Sequence, residues 1–135
     1  MISCVVGGKL SEGINFSDHL CRGVIMIGLP YPNPHDPILK ERLQRFSNNR
    51  REHSAMFDQL CMNAVNQSIG RAIRHVNDYA SIILMDVRFA KPNILQLLPS
   101  WIKQFPTQIC SNFAQSISSV KHFFNEKKRE KKREK

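Results

Sequence analysis

Gly23-Val24-Ile25-Met26-Ile27-Gly28-Leu29 is an almost unbroken apolar run of strand length. A run without polar alternation predicts a strand buried on both faces of a parallel sheet. Pro30, Pro32, Pro34 and Pro37 follow and enforce an extended, turning connection. Asp36 before Pro37 predicts a helix start, the Asp capping and the Pro in the first turn, with the helix running to about Phe46. Ser47 to Glu52 is polar and reads as a loop.

On either side of that run the pattern repeats. Ser3-Cys4-Val5-Val6 is a short β-favouring stretch that stops at Gly7-Gly8, which predicts a buried strand ending in a loop through Phe16. Glycines there allow positive φ and let backbone amides face an anion, although a plain turn has the same composition. Ala80 to Asp86 predicts a third buried strand, with Asp86 and Arg88 at its carboxyl end, the edge where open α/β sheets bind ligands. Short helices are expected over Pro92–Leu98 and from Pro99. A last helix is expected from Asn112 to about Lys128, with Phe113, Ile117, Val120 and Phe124 as its apolar stripe. Trp101 reads as core. Strand, strand, helix, strand, helix implies an α/β layered unit.

The central helix, expected from about Ser54 to His75, contains Gln67-Ser68-Ile69-Gly70-Arg71-Ala72-Ile73-Arg74. At about 100° per residue, Gln67, Gly70, Arg71 and Arg74 fall within one arc of roughly 100°. Met62, Val65, Ile69, Ala72, Ile73 and Val76 fall on the opposite side. Such a helix buries one face and presents a Gln and two Arg across a Gly gap on the other. Guanidinium pairs suit phosphate oxygens, because the planar fork donates two hydrogen bonds and keeps its charge. An ordinary amphipathic helix with solvated arginines has the same spacing.

Composition narrows the classes. The 135 residues suffice for one domain with a core, and 41% are hydrophobic. No run approaches the roughly 20 apolar residues that cross a membrane, so no membrane partner is expected. No signal peptide is visible after Met1. Cys4, Cys21, Cys61 and Cys110 form no Cys-x-x-Cys pair and read as reduced, mostly buried thiols. None pairs with a His at ligand spacing, so no metal site is expected. Net charge is +9, of which Glu126–Lys135, a low-complexity basic tail, contributes +4 with seven Lys/Arg and three Glu. A basic body with a basic tail fits a polyanionic partner such as nucleic acid, and equally a solvated tail.

Two blocks carry a family resemblance. Gly8-Lys9-Leu10-Ser11-Glu12-Gly13-Ile14-Asn15-Phe16 resembles motif V of the superfamily 2 helicases. Gln67 to Arg74 resembles their motif VI, Gln-x-x-Gly-Arg-x-x-Arg. The Ser-Glu-Gly wording, Gly-Arg-Ala-Ile-Arg and Asp86-x-Arg88-Phe89 are similar to the iron–sulfur, XPD-like branch of DNA helicases. Asn15 and the stretch Leu60 to Gln67 point within it to the chromosome-loss-type DEAD/H-box helicases.

The resemblance implies a partial RecA-like (P-loop NTPase type) helicase C-terminal domain over residues 1–125, α/β, with a mostly parallel sheet flanked by helices, and residues 126–135 as a tail. It implies ATP with magnesium as cofactor and DNA as partner, with 5′ to 3′ movement and a nuclear location. Arg74 would be the arginine finger, Arg71 a second γ-phosphate contact, and Gln67 would order the attacking water. Glu12, Gly13, Asn15 and Gly70 would lie at the nucleotide, and Gly7, Gly8 and Ser11 at DNA. Many relatives carry Asp where this chain has Asn15; the amide can bond a ribose hydroxyl but lacks the charge.

No phosphate-loop lysine, Asp-Glu-Ala-His-type motif or four-cysteine cluster is present. The first motor domain, with its magnesium ligands and iron–sulfur cluster, is therefore an expected partner outside this sequence. The chain alone is not expected to hydrolyse ATP or unwind DNA, and reads as a truncated product, a partial gene model or an isoform. The alternatives are a non-enzymatic basic nucleic-acid-binding or interaction module, and a non-functional product.

Overall fold

Strands β1 (Gly23–Ile27) and β2 (Ser81–Met85) pair in parallel, with Gly23 opposite Ser81 and Ile27 opposite Met85. The computed structural model describes residues 1–8, 21–46, 49–73, 75, 78–105 and 107–133. Between the strands lie α1 (Pro37–Phe46) and α2 (Arg50–Ile69). After β2 come a 3₁₀ turn (Val87–Ala90), the one-turn helices α3 (Pro92–Leu95) and α4 (Ser100–Lys103), and the long α5 (Phe113–Arg133). The chain divides into two compact units, Met1–Ile102 and Lys103–Lys135.

In the first unit, β1 and β2 stand where the two longest apolar runs predict them. The third strand does not form: among the described residues the sheet has two strands. Ser3, Cys4 and Val5 are exposed, and the segment turns back on itself instead of pairing, with Gly8 N–H donating to Val5 C=O at 3.0 Å. Gly7 sits in that turn at φ +79°, a conformation that favours glycine.

Side-chain alternation along β1 decides what is covered. Met26 is buried against α2, which contributes Cys61, Met62, Val65 and Ile69 to the core, together with Leu29, Phe89, Ile94 and Leu98. Trp101 packs against this cluster, as core. Spacings of three and four along α2 put its apolar residues on one stripe. The other sheet face is bare: Ile25 is 52% exposed, Ile27 82% and Met85 47%. Burial of β1 on both faces, as the apolar run implied, does not hold within the described residues.

Helix boundaries follow local capping. Asp36 Oδ1 accepts from the backbone N–H of Ile38 at 2.8 Å and of Leu39 at 3.1 Å, as Asp-Pro predicts. Helix α2 begins at Arg50, inside the expected loop, because the Asn49 side chain accepts from Arg51 N–H at 3.0 Å and Glu52 lies in the positive first turn.

In the second unit, Asn112 Oδ1 accepts from Gln115 N–H at 2.9 Å, and Gln115 Oε1 accepts from Ser111 N–H at 2.9 Å. This reciprocal cap starts α5, which runs past the expected Lys128 to Arg133. Ile117, Val120 and Phe124 are half-buried, but Phe113 is 72% exposed and drops out of the apolar stripe. No described helix is long and apolar enough to cross a membrane.

Candidate functional site

The Gln67–Arg74 stretch straddles the end of α2 instead of lying within it. The helix stops at Ile69, and Gly70 caps it with φ −61° and ψ −11°. The chain then tightens: Arg71 N–H reaches Ser68 C=O at 3.4 Å and Ala72 N–H reaches Ile69 C=O at 3.0 Å. Gly70 is a poor helix former, and Ala72, 1% exposed, folds into the interior. Arg71 therefore does not continue the helical arc, and the helix expected to reach His75 ends about one and a half turns early.

What the expected arc placed on one face survives in part. Gln67 and Gly70 are exposed and Arg71 is half-buried, all within one turn where α2 ends. The apolar side opposite them is buried at Met62, Val65, Ile69 and Ala72, with Ile73 half-buried. Gly70 N–H donates to Asn66 C=O at 2.9 Å, and Asn66 Nδ2 donates to Leu97 C=O at 2.9 Å. That second bond ties the end of α2 to the segment after α3. Gly7 and Gly8 lie in the amino-terminal turn. Ser11, Glu12, Gly13, Asn15, Arg74 and Val76 lie outside the described residues.

A second polar group occupies the carboxyl edge of the sheet. Asp86 directly follows β2 and Gly28, at φ +77°, directly follows β1, with Gly28 N–H donating to Met85 C=O at 3.2 Å. Arg88 holds Asp86 through Nε at 2.9 Å and Nη2 at 2.6 Å, and its guanidinium lies 5.5 Å from the ring centre of Tyr31. Tyr31 Oη donates to Asp58 Oδ1 at 2.7 Å, while Asn93 Nδ2 donates to Asp58 Oδ2 at 2.8 Å. Asp58 thus joins the loop after β1 and helix α3 to the middle of α2.

Electrostatics follow from these contacts. The Arg88 hydrogen bonds hold Asp86 at a pKa of about 2, and the same pair raises that of Arg88. Partial burial, then the hydrogen bond to Asp58, pushes Tyr31 up to about 12. Burial, then the charge of Asp58, pushes the Cys61 thiol up to about 11. Every carboxylate oxygen of this edge is matched to a donor, so it is built to hold loops in place. Sequence spacing located Asp86 and Arg88 but missed Tyr31, Asp58 and Asn93, whose partners lie 27 and 35 residues apart.

No metal centre emerges among the described residues, where no group of three His, Cys, Asp or Glu is placed to hold an ion. Cys61 is buried, Cys21 and Cys110 are half-buried and Cys4 is exposed, so the expectation of mostly buried thiols holds for Cys61 alone.

The helicase C-terminal domain family matches residues 1–105, across the amino-terminal turn, both strands, α2 and the carboxyl edge. The chain belongs to that family. The ATP-dependent DNA helicase DDX11 of Mus musculus is 46% identical over 134 residues, covering 94% of this chain and 15% of the mouse protein. The ATP-dependent DNA helicase chl-1 of Caenorhabditis elegans is 46% identical over 92% of this chain and 15% of its own length. The chl1 helicase of Aspergillus clavatus is 47% identical over 77% of this chain and 16% of its own length. A solved structure named XPD helicase superposes with a TM-score of 0.57 at 36% identity, covering 67% of this chain and 17% of that one. The chain thus spans about 15% of the length of the curated relatives it matches. The helicase C-terminal domain here is a partial RecA-like α/β unit of the XPD type, similar to chromosome-loss helicases along most of its length.

Proposed function

We propose that this helicase C-terminal domain supplies the second-motor half of an ATP-dependent DNA helicase active site. The observation that carries the reading is the turn at the end of α2, where Gln67, a side-chain-free Gly70 and Arg71 are exposed or half-buried together. Transition-state charge in phosphoryl transfer spreads over the phosphoryl oxygens, and a positioned guanidinium stabilises it. Arg74 takes the part of the arginine finger and Arg71 that of the second phosphate contact, with Gln67 ordering the nucleophilic water. Glu12, Gly13, Asn15 and Gly70 complete the nucleotide side, and Gly7, Gly8 and Ser11 the DNA side.

The residues present suit the phosphate end of ATP and not its metal. Two arginines and a glutamine can donate to phosphate oxygens, whereas the described residues gather no carboxylate set for magnesium. Magnesium, the general base and any iron–sulfur cluster belong in this reading to a first motor domain. The family model covers 1–105; we extend the motor domain to residue 125, with 126–135 as an appended basic segment. Unwinding of single-stranded or forked DNA from 5′ to 3′, in the nucleus, completes the proposal.

The test is a chimera in which this chain replaces the matching segment of the mouse helicase. DNA-stimulated ATP hydrolysis is expected from the chimera and not from the 135-residue chain alone. Arg74→Ala should lower turnover by about three to five orders of magnitude. Near-normal turnover in that variant would remove Arg74 from the finger role.

A further inference from the structure

Helix α5 sorts its side chains into sectors. Projected at about 100° per residue, Lys121, Asn125, Lys128, Arg129 and Lys132 fall within one arc of roughly 100°. All five are exposed. Ile117, Val120, Phe123 and Phe124 occupy another sector and are half-buried. Glu126 and Glu130 occupy a third, and the partners of both carboxylates lie outside the basic arc. Glu126 lies 3.4 Å from His122 Nε2, and Glu130 pairs with Lys127 Nζ at 2.7 Å. Among the described residues, no carboxylate pairs with Lys121, Lys128, Arg129 or Lys132.

Two ordinary explanations fall short. Cations near a helix carboxyl end are favoured by the helix dipole, but only over the last turn. That accounts for Lys131, Lys132 and Arg133, and not for Lys121, Lys128 or Arg129. A salt-bridge-laced solvated face would interleave the two signs, whereas the carboxylates here are confined to their own sector.

We propose that the arc from Lys121 to Lys132 docks a nucleic-acid phosphodiester backbone. It extends about 16 Å along the helix, a length over which one strand of B-form DNA carries about five phosphates. Four cations can each displace a counterion there, and the Asn125 amide donates between them without adding charge. Binding by this face needs no ATP, so it stands or falls independently of the nucleotide-contacting role of Gln67, Arg71 and Arg74.

Two triple variants of the full chain, equal in charge and both with helix-favouring alanine, test the assignment. Lys128→Ala/Arg129→Ala/Lys132→Ala strips the arc, and Lys127→Ala/Lys131→Ala/Arg133→Ala removes as much charge from the other sectors. Binding to a poly-dT oligonucleotide is followed against salt, starting from about 50 mM, with far-UV circular dichroism reporting helicity. Stripping the arc should flatten the log–log salt slope by about 2, at about 0.7 per phosphate contact on a single strand. The other triple should flatten it by less than half as much. Equal flattening, no binding by the unaltered chain at low salt, or tighter binding to phosphatidylserine vesicles than to DNA would each overturn the proposal. Lysine acetylation of the unaltered chain gives a second readout without substitution. DNA should shield Lys121, Lys128 and Lys132 more than Lys127, and uniform shielding would also overturn it.

Discussion

Arg88 grips the Asp86 carboxylate from both sides while the same carboxylate caps the turn that Arg88 sits in. Oδ1 accepts from Arg88 Nε at 2.9 Å and from the Arg88 backbone N–H at 2.9 Å, and Oδ2 accepts from Nη2 at 2.6 Å. One carboxylate therefore fixes the exit of β2 at the carboxyl edge. Its folded pKa of about 2 lies below the ordinary 3.8. Ionised Asp86 therefore stabilises the fold fully above about pH 4, and that contribution is lost as pH falls through about 2. Asp86→Asn should lower the urea midpoint at neutral pH and flatten its decline in acid. An unchanged acid limb would show that the pair contributes little.

Tyr31 gives the opposite pH signature. Its pKa of about 12 exceeds the usual 10.0, so its contribution is complete below about pH 10 and is lost as pH rises through about 12. Spectrophotometric titration should resolve the late tyrosine, and Asp58→Asn should bring it closer to the ordinary range. Since Asp58 also holds Asn93, that variant should loosen α3 as well, seen as faster amide exchange at Ile94 and Leu95.

At the amino end of the sheet, Arg22 holds the two strands together. Its Nη1 pairs with Asp78 and donates to Tyr79 C=O at 3.0 Å, and its guanidinium stacks 4.3 Å from the Tyr79 ring centre. The Asp78 side chain is 1% exposed and that of Arg22 25%. Arg22→Ala removes a cation and a hydrogen-bond donor from this buried carboxylate and should cost about 1–3 kcal/mol by urea denaturation. Arg22→Lys should recover part of that loss, because it keeps the charge but not the planar fork.

At Gly70 folding and the proposed chemistry can be tested apart. Its φ of −61° is open to any residue, so the backbone does not require glycine there. An added Cβ would lie 3.2 Å from Asn66 C=O, which a shift of a few tenths of an ångström relieves. Gly70→Ala should change stability by no more than about 1 kcal/mol. In the chimeric helicase it should nevertheless depress ATP turnover, since it fills the gap between Gln67 and Arg71. Full turnover in the Gly70→Ala chimera would leave the gap without a role.

The strands were legible because their apolar runs are local, and the start of α1 because Asp36 and Pro37 act on adjacent amides. The end of α2 was not. A helical projection treats Gly70 as one more position, whereas burial of Ala72 and the three-residue hydrogen bonds of Arg71 to Ser68 and Ala72 to Ile69 turn the chain out of register. The amino-terminal strand failed for a related reason: Val5 and Val6 have β propensity, but a strand needs a neighbour to pair with. Tyr31, Asp58 and Asn93 could not be seen together because no spacing rule links a loop, a helix face and a distant helical turn.

The parallel pairing also sets a timetable for synthesis. Gly23 finds its partner only at Ser81, 58 residues later. At about 5–20 residues per second, a ribosome spends roughly 3–12 s between the two. During that interval Val24, Ile25, Met26 and Ile27 lack the β2 edge, and even afterwards Ile25 and Ile27 remain outside the core. Apolar segments that wait for a distant partner favour aggregation, so yields of the recombinant protein should respond to slower translation and lower temperature more than to any change in α5.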